Sequence, residues 1–451
     1  MVTHNVDTDA NRANPFTSLV GAQNIMTVPS FKLESDEVMR DVPVAYKTWG
    51  TLNAEGNNCM VICHALTGSS DVADWWGPLL GSGRAFDTSK FFVVCCNVLG
   101  SPYGTASPLT VNPVTGSVYG PEFPLTSIRD DVRLHRVVLD VLGVKQVAIC
   151  IGGSLGGMQC LEWGMFGADY VRVIVPISTC GKHSAWGISW GEAQRQAIYS
   201  DPNYCDGRYT FEKKPDSGLS AARMSALLTY RSRDSFESRF GRKMMTSGKV
   251  KVYQSVNLRD SEGQETSSSC SVSNSRNATE ANSAISSGCS SPRASNDDRT
   301  ASSIFSAQSY LRYQGDKFTK RFDANCYIAI TRKMDSHDLG RERGGYISTL
   351  KKMKQPALVV GIESDGLFTI SEQYELAEHI PSAQMATIDS ADGHDGFLLE
   401  FEQLNRLIRS FVRDQLPEFA SDSDADVNAP SEFVVQKSSV FGEAEVDVMK
   451  W

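Results

Sequence analysis

Residues 146–157 read QVAICIGGSLGG, an apolar run that passes directly into a glycine-rich turn around Ser154. Such a run is typical of a strand buried on both faces of a parallel sheet, and the following MQCLEWGMF is compatible with a helix. The Gly-x-Ser-x-Gly spacing indicates a nucleophile elbow, a tight strand-to-helix turn that exposes a strained serine. The alternative, a glycine-rich turn of a nucleotide-binding fold, needs a glycine where Leu155 stands. We therefore interpret Ser154 as a nucleophile.

The chain on either side of this turn alternates strand-like and helix-like segments. Residues 126–144 carry apolar side chains at helical spacing, with Thr126 or Ser127 as the N-cap and Gly143 near the end. Strand–helix–strand repetition predicts a doubly wound, mostly parallel sheet, and residues 31–50 predict an antiparallel start. The other predicted strands are NCMVIC (58–63), FFVVCCNVLG (91–100), VRVIVPIS (171–178) and the beginnings of 355–368 and 383–397.

The segment from about 180 to about 345 has little strand signal and is predicted to be a helical lid inserted into the sheet domain. Within the lid, about 255–306 is dominated by Ser, Asn, Asp and Gly. That composition cannot bury enough apolar surface to offset the entropy of ordering, so we expect a disordered loop. The predicted organisation is an N-terminal tail 1–29, a first core part 30–179, the lid 180–345, a second core part 346–417 and an acidic tail 418–451.

The composition of the 451-residue chain favours an enzyme of the cytoplasm that acts on small molecules. Its formal net charge of -9 gives no electrostatic reason to expect nucleic acid or an anionic membrane as partner. No apolar run approaches the roughly 20 residues of a membrane helix, and the polar N-terminus lacks a secretory signal. The 11 cysteines are odd in number and irregularly spaced, which predicts reduced thiols and no zinc or other metal site.

A serine nucleophile requires a base and a group that orients the base. Of the seven histidines, only His394 lies on a glycine-flanked loop directly after the predicted last strand, although a surface loop histidine remains the alternative. Asp365 lies where the preceding strand meets its loop. The order Ser154, Asp365, His394 is the order of catalytic triads in the α/β-hydrolase fold, here with a helical lid insertion. Asp365 would fix the imidazole tautomer while His394 takes the serine proton.

An oxyanion hole needs two backbone N–H groups near the nucleophile. One is expected from Leu155, the residue after the nucleophile, and the other from the loop that follows the strand NCMVIC. In that loop Leu66 is the predicted donor, with Thr67 as the alternative. His64 begins the same loop and is interpreted as a packed residue beside the hole, with a catalytic role as the alternative.

Several motifs in the right order resemble the homoserine O-acetyltransferases of methionine biosynthesis, especially the fungal branch with its long lid insertion. The resemblance covers about residues 30–412. It rests on HALTGSSD, NVLGSPYGTASP, GPEFPLTSIRDDV, GGSLGGMQCLEW, SYLRYQGDKFTKRFDANCY, MDSHDLGRERG and ESDGLFT with DGHDGFLLEF. It implies acetyl transfer from acetyl-CoA to the hydroxyl of L-homoserine through an acetyl-Ser154 intermediate. It also implies no bound cofactor and a homodimer built through the lid.

The resemblance also assigns binding residues. Arg223 and Asp395 match the homoserine-binding positions, where a guanidinium can grip the α-carboxylate and a carboxylate can pair with the α-ammonium. Tyr230 is a weaker match for the same site. Without the resemblance, Arg223 would be interpreted as a solvated helix arginine. One departure is Asp71, which stands where many relatives have histidine.

Three alternatives remain open at this point. Related enzymes acetylate L-serine or the hydroxyl of a cephalosporin intermediate, and some use succinyl-CoA. A serine esterase would carry the same triad but let water reach the acyl-enzyme. A catalytically silent binding protein of the same fold would have no need for all three triad groups, which argues against it.

Overall fold

The computed structural model describes residues 3–4, 14–244 and 304–420. Within these ranges nine strands form a single sheet. The strands are β1 Thr3–His4, β2 Asn24–Lys32, β3 Val38–Trp49, β4 Cys59–Cys63, β5 Phe92–Cys96, β6 Val147–Gly153, β7 Val171–Ile177, β8 Ala357–Ile362 and β9 Ala383–Ile388.

The sheet has the order β1-β2-β3-β5-β4-β6-β7-β8-β9. Strands β4 to β9 pair in parallel, whereas β1, β2 and β3 extend one edge with antiparallel pairings. The predicted mostly parallel sheet with an antiparallel start is therefore confirmed. Alternate residues of β4 enter different cores, Val61 on one face and Ile62 on the other, which is why these strands are apolar throughout.

Eleven α-helices surround the sheet in the described ranges. They are α1 Val72–Trp76, α2 Ile128–Val141, α3 Leu155–Gly164, α4 Ala185–Tyr199, α5 Asp216–Tyr230, α6 Arg233–Arg239, α7 Ser306–Thr319, α8 Ala324–Asp335, α9 Tyr346–Leu350, α10 Ile370–His379 and α11 Phe401–Gln415. Of the two candidate caps of α2, Ser127 is the one used, in a capping box with Asp130. None of the helices in the described part of the chain is long and apolar enough to cross a membrane.

Helices α4 to α9 all lie between β7 and β8, and a separate apolar core joins them to the sheet domain. Leu155 and Met158 of α3 share this core with Ala222 of α5 and Phe318 of α7. A buried ion pair adds a polar connection, because the ammonium of Lys333 on α8 contacts both carboxylate oxygens of Asp131 on α2, at 2.8 and 2.7 Å. The helices are therefore fixed over the carboxyl ends of the parallel strands.

The ends of the chain differ in part from the prediction. The expected N-terminal tail, 1–29, contains a 3-10 helix at Thr17–Val20 and the start of β2 at Asn24. Polar residues on either side of β2 make this strand hard to recognise in the sequence. The strand forms because antiparallel pairing with β3 satisfies its backbone hydrogen bonds, a tertiary contact that local β-propensity does not predict. Of the expected acidic tail, 418–451, only residues 418–420 are among the described residues. Of the expected Ser-rich loop, about 255–306, only residues 304–306 are among them.

Deleting residues 258–302 is expected to leave a soluble protein with an unchanged melting temperature. The described residues that flank this region are already adjacent, because Met244 forms an antiparallel bridge with Phe305 and the N–H of Ser306 donates to the Lys243 carbonyl at 2.9 Å. Because these ends are adjacent, a shorter connection can still join them. Each halving of the loop length lowers the free-energy cost of loop closure by only about 0.6 kcal/mol. Thermal unfolding of the deletion variant tests this prediction, and loss of soluble protein would contradict it.

Candidate active site

Ser154 lies at the turn between β6 and α3, in a backbone conformation that side chains other than glycine rarely adopt. Its φ and ψ are 58° and -124°. The turn is tight enough to require the neighbouring glycines. A Cβ on Gly156 would lie 2.1 Å from the Cys63 carbonyl oxygen, and one on Gly152 would lie 2.2 Å from the Gly156 oxygen. These close approaches explain the glycine-rich sequence and give the elbow its shape.

Hydrogen bonds from more distant segments hold the elbow in place. The Ser154 N–H donates to the Ile177 carbonyl at 3.0 Å, and the Thr179 hydroxyl donates to the Ser154 carbonyl at 2.7 Å. Thr179 is itself fixed by the buried amide of Gln373, which accepts from its N–H at 3.1 Å and donates to its carbonyl at 2.6 Å. Sequence analysis missed Thr179 and Gln373, because no motif marks either residue.

Asp365 and His394 meet at the carboxyl ends of β8 and β9. Asp365 Oδ2 lies 2.7 Å from His394 Nδ1, and both residues are buried. The other carboxylate oxygen accepts the N–H groups of Leu367 at 2.8 Å and Phe368 at 2.9 Å. A carboxylate acts only as an acceptor in these contacts, so His394 carries its proton on Nδ1 and leaves Nε2 as the basic nitrogen.

Ser154 and His394 line the same cavity. Its walls come from the loop after β4, from α4, α5 and α8, and from the segment Gly393–Leu398. The rings of Phe368 and Phe397 each lie 5.2 Å from the His394 ring, so the imidazole is enclosed by apolar groups. The structure therefore brings the predicted nucleophile and base to the same enclosed space, with Asp365 behind His394.

The two predicted oxyanion donors come from different segments of the chain. Leu155 is the first residue of α3, so its N–H belongs to the positive end of a helix dipole. Leu66 and Thr67 line the cavity in a turn closed by the Gly68 N–H, which donates to the Ala65 carbonyl at 3.0 Å. Backbone amides in these positions can stabilise negative charge on a substrate oxygen next to Ser154.

His64 orders this turn and is not available as a base. Its Nε2 accepts the Val98 N–H at 3.2 Å, so its Nδ1 is the protonated nitrogen that donates to the Ala65 carbonyl at 2.8 Å. Burial lowers the pKa of His64 to about 4, which keeps the ring neutral. The interpretation of His64 as a packed residue beside the hole agrees with these contacts.

Buried neutral histidines should make the protein sensitive to acid. Burial lowers the pKa of four histidines well below their usual 6.5, to about 4 for His64, His183 and His337 and to about 3 for His135. Between pH 6.5 and 4 the unfolded chain therefore binds protons that the folded chain excludes. The free energy of unfolding is expected to fall over this window, by about 1.4 kcal/mol per pH unit for each such histidine.

Urea unfolding at several pH values measures this slope. In a His135→Gln variant the free energy of unfolding should depend less steeply on pH, by the contribution of one histidine, because glutamine does not titrate. A free energy of unfolding that stays constant from pH 6.5 to 4.5 in the parent protein would contradict the prediction.

The residues expected to bind the acceptor occupy the α5 side of the cavity. Tyr230 and Asp395 line it directly. Arg223 is only 2% exposed and lies behind Tyr230, with its guanidinium 5.6 Å from the Tyr230 ring centre and 5.0 Å from that of Phe318. The structure thus places Arg223 against Tyr230, and Arg223 itself is not among the residues that line the cavity.

Arg231, which sequence analysis missed, holds the Asp395 side chain of this wall from behind the cavity lining. Its Nε lies 2.7 Å from Asp395 Oδ2, and its Nη1 lies 3.0 Å from Asp392 Oδ1. Asp395 and Asp392 together raise the pKa of the buried Arg231 against the opposing effect of its burial. By contrast, Asp71 does not line the cavity and pairs with Lys47 at 2.7 Å, so the departure at that position lies outside the site.

A serine at a strained elbow, a histidine with an aspartate behind it, and a mostly parallel sheet define a serine-dependent α/β-hydrolase-fold protein. The family model described as alpha/beta hydrolase fold matches residues 58–401. The homoserine O-acetyltransferase of Emericella nidulans is 52% identical, over 98% of this chain and 97% of its own. That of Saccharomyces cerevisiae is 50% identical, over 98% of this chain and 97% of its own. The chain therefore belongs to the homoserine O-acetyltransferase family of α/β-hydrolase-fold proteins.

Solved structures agree on the fold. A homoserine O-acetyltransferase from Bacillus anthracis has a TM-score of 0.71 at 20% identity, covering 88% of this chain and 98% of its own. Esterase E22 has a TM-score of 0.70 at 22% identity, covering 87% of this chain and 99% of its own. Because a transferase and an esterase fit equally well, the fold does not distinguish transfer from hydrolysis.

Proposed function

We propose that this enzyme transfers the acetyl group of acetyl-CoA to the hydroxyl of L-homoserine, giving O-acetyl-L-homoserine and CoA for methionine biosynthesis. The observation that carries the proposal is the shared cavity of Ser154, His394, Asp395 and Tyr230, in a chain about 50% identical over nearly its full length to homoserine O-acetyltransferases. The reaction needs no metal or bound cofactor, because acetyl-CoA enters as a co-substrate.

The first half-reaction acylates the serine. His394 Nε2 takes the proton of the Ser154 hydroxyl as its oxygen attacks the thioester carbonyl, and Asp365 stabilises the imidazolium that forms. The N–H groups of Leu155 and Leu66 stabilise the oxyanion of the tetrahedral intermediate. When the carbon–sulfur bond breaks, His394 returns the proton to the thiolate, and CoA leaves an acetyl-Ser154 enzyme.

The second half-reaction transfers the acetyl group to the amino-acid acceptor. His394 takes the proton of the homoserine hydroxyl, whose oxygen attacks the acetyl carbon, and returns it to Ser154 as the ester product leaves. Arg223 is proposed to hold the α-carboxylate and Asp395 the α-ammonium, while Tyr230 forms the wall between them. The position of Asp395 on the cavity wall and the contact of Arg223 with the cavity-lining Tyr230 support these roles, because charged contacts are stronger where water is excluded.

An acceptor assay tests the proposal. Release of free thiol from acetyl-CoA is expected to be rapid with L-homoserine, slower with L-serine, whose shorter side chain places its hydroxyl farther from acetyl-Ser154, and slowest with water alone. Cover by the lid helices is the physical reason, because it limits the access of water to the acyl-enzyme. Thiol release with water alone as fast as with homoserine would instead identify an esterase.

We further propose that the enzyme works in the cytoplasm as a homodimer joined through its lid. The nine cysteines in the described residues are all free, and eight are buried, as expected in a reducing compartment. Large apolar side chains are exposed on the lid helices, including Trp186 at 55% and Leu228 at 52%. Light scattering measures the assembly, and a particle of 49.4 kDa, the mass of one chain, would contradict the dimer.

A further inference from the structure

The loop that carries His394 lies against the corner of the lid where α5 meets α6. Gly393, the residue before His394, has a φ of 68°, and a Cβ there would lie 2.7 Å from the Ser232 nitrogen and 2.9 Å from the Tyr230 carbonyl oxygen. Glycine permits this close approach of two backbone segments because it has no Cβ. The acetyl-transfer steps described above give the contact no role.

The carboxylate of Asp392 joins this loop to side chains of the lid corner. It accepts from Arg231 Nη1 at 3.0 Å and from the Ser235 hydroxyl, and Arg239 Nη2 lies 2.6 and 2.8 Å from its two oxygens. Burial acts to raise the pKa of Asp392, but Ser235 and the two arginines outweigh burial and lower the pKa below its usual value. The carboxylate is therefore charged at neutral pH, and charge-assisted hydrogen bonds are roughly twice as strong as those between neutral groups.

Arg231 contacts the loop on both sides of His394. Its Nη1 binds Asp392, and its Nε lies 2.7 Å from Asp395 Oδ2. The Arg231 side chain is only 4% exposed. A buried pair of charges resists separation, because removing one partner leaves the other charge buried without compensation. The chain immediately before and after His394 is therefore tied to one buried side chain of the lid.

Ser364, the residue before Asp365, holds the same loop from the sheet. Its hydroxyl donates to the Ser390 carbonyl at 2.6 Å and accepts the Gly393 N–H at 3.0 Å. The loop is thus held between the segment that carries Asp365 and the corner of the lid. Asp365 orients the imidazole of His394, whereas these other contacts fix the backbone from which the imidazole projects.

Asp392, Arg231 and Arg239 are not among the described residues that line the cavity, so their contacts act on the loop and not on a ligand there. We propose that Asp392 is a positioning residue through which the lid corner fixes His394 for proton transfer with Ser154. The inference rests on the proposed function only in taking His394 as the base, and it holds for any acceptor. Misplacing a catalytic group by about 1 Å can cost about a hundredfold in rate, so loss of this contact should slow the chemistry.

An Asp392→Asn variant tests the proposal, with Asp389→Asn as its matched control. Both changes replace a carboxylate with an amide in the same segment, but Asp389 is exposed. With p-nitrophenyl acetate as substrate, kcat of Asp392→Asn is expected to fall at least about tenfold while KM stays within about twofold. Asp389→Asn should keep both values within about twofold of those of the parent. Because this ester acylates Ser154 in a transferase and in an esterase alike, failure of homoserine as the acceptor would leave the comparison unaffected.

Arg239→Gln separates positioning through Asp392 from a general loss of stability. If Arg239 acts through Asp392, Arg239→Gln alone should lower kcat, but adding it to Asp392→Asn should change kcat by no more than about twofold. Losses that multiply in the double variant would overturn the proposal, as would a folded Asp392→Asn variant with the kcat of the parent. A rise in KM for homoserine with an unchanged kcat for p-nitrophenyl acetate would also overturn it, because it would place Asp392 at the acceptor wall.

Ser235→Ala provides a milder test if Asp392→Asn does not fold. It removes one hydroxyl that donates to Asp392 and leaves both arginines in place. The loss of one hydrogen bond is expected to lower kcat for p-nitrophenyl acetate about threefold at an unchanged KM. A folded Ser235→Ala variant with the kcat of the parent would then overturn the proposal.

Discussion

Acetyl transfer is expected to fall by at least about a thousandfold when Ser154 is replaced with alanine, because the variant loses the hydroxyl that the elbow presents for acyl-enzyme formation. The fold should survive, since the contacts that hold the elbow use the Ser154 backbone: its N–H donates to Ile177 and its carbonyl accepts from Thr179. Steady-state release of CoA measures the loss, and thermal unfolding checks that the protein is intact.

A matched control is Ser189→Ala, an exposed serine of α4, which should keep full activity. The parent enzyme should also give parallel double-reciprocal plots for acetyl-CoA and homoserine, as a covalent intermediate requires. A Ser154→Ala variant that keeps more than a few per cent of parent turnover, or plots that intersect, would remove Ser154 from the proposed role.

Replacing Arg223 with alanine is expected to weaken use of homoserine by about 2–5 kcal/mol in kcat/KM, the range for truncating one member of a buried charge pair. Acylation of Ser154 by acetyl-CoA should persist, because that half-reaction uses only the triad and the oxyanion donors. Arg223→Lys should recover little, because an ammonium cannot reproduce the planar guanidinium or its stacking on Tyr230 and Phe318.

The decisive measurement follows the two half-reactions separately, by formation of the acetyl-enzyme and by its discharge with homoserine. Arg233→Ala, at an exposed arginine of α6 a few residues after α5, serves as the control and should change neither rate by more than about twofold. Equal damage to both half-reactions in Arg223→Ala would show that Arg223 supports the lid in general and does not select the acceptor.

Local sequence features predicted much of the fold and part of the candidate site. Continuous apolar runs indicated the parallel strands, and the Gly-x-Ser-x-Gly turn indicated the elbow, because strand burial and tight turns restrict the residue types at adjacent positions. Chain order then singled out Asp365 and His394 as a pair, and the structure brings these two side chains to 2.7 Å. The strands and the elbow can be recognised in the sequence because each depends on a few neighbouring residues.

Tertiary structure alone decided which distant side chains meet. Thr179 reaches Gln373 across 194 positions of sequence, and Arg231 reaches Asp395 from a different segment of the chain. The same holds for Gln194 and Asp335, which line one cavity but come from two helices that are separated in sequence by the whole Ser-rich insertion. Neither periodicity nor motif spacing encodes such contacts, because they arise from how helices pack over the sheet. The sequence by itself therefore determined the sheet and the elbow, whereas packing determined what surrounds the serine.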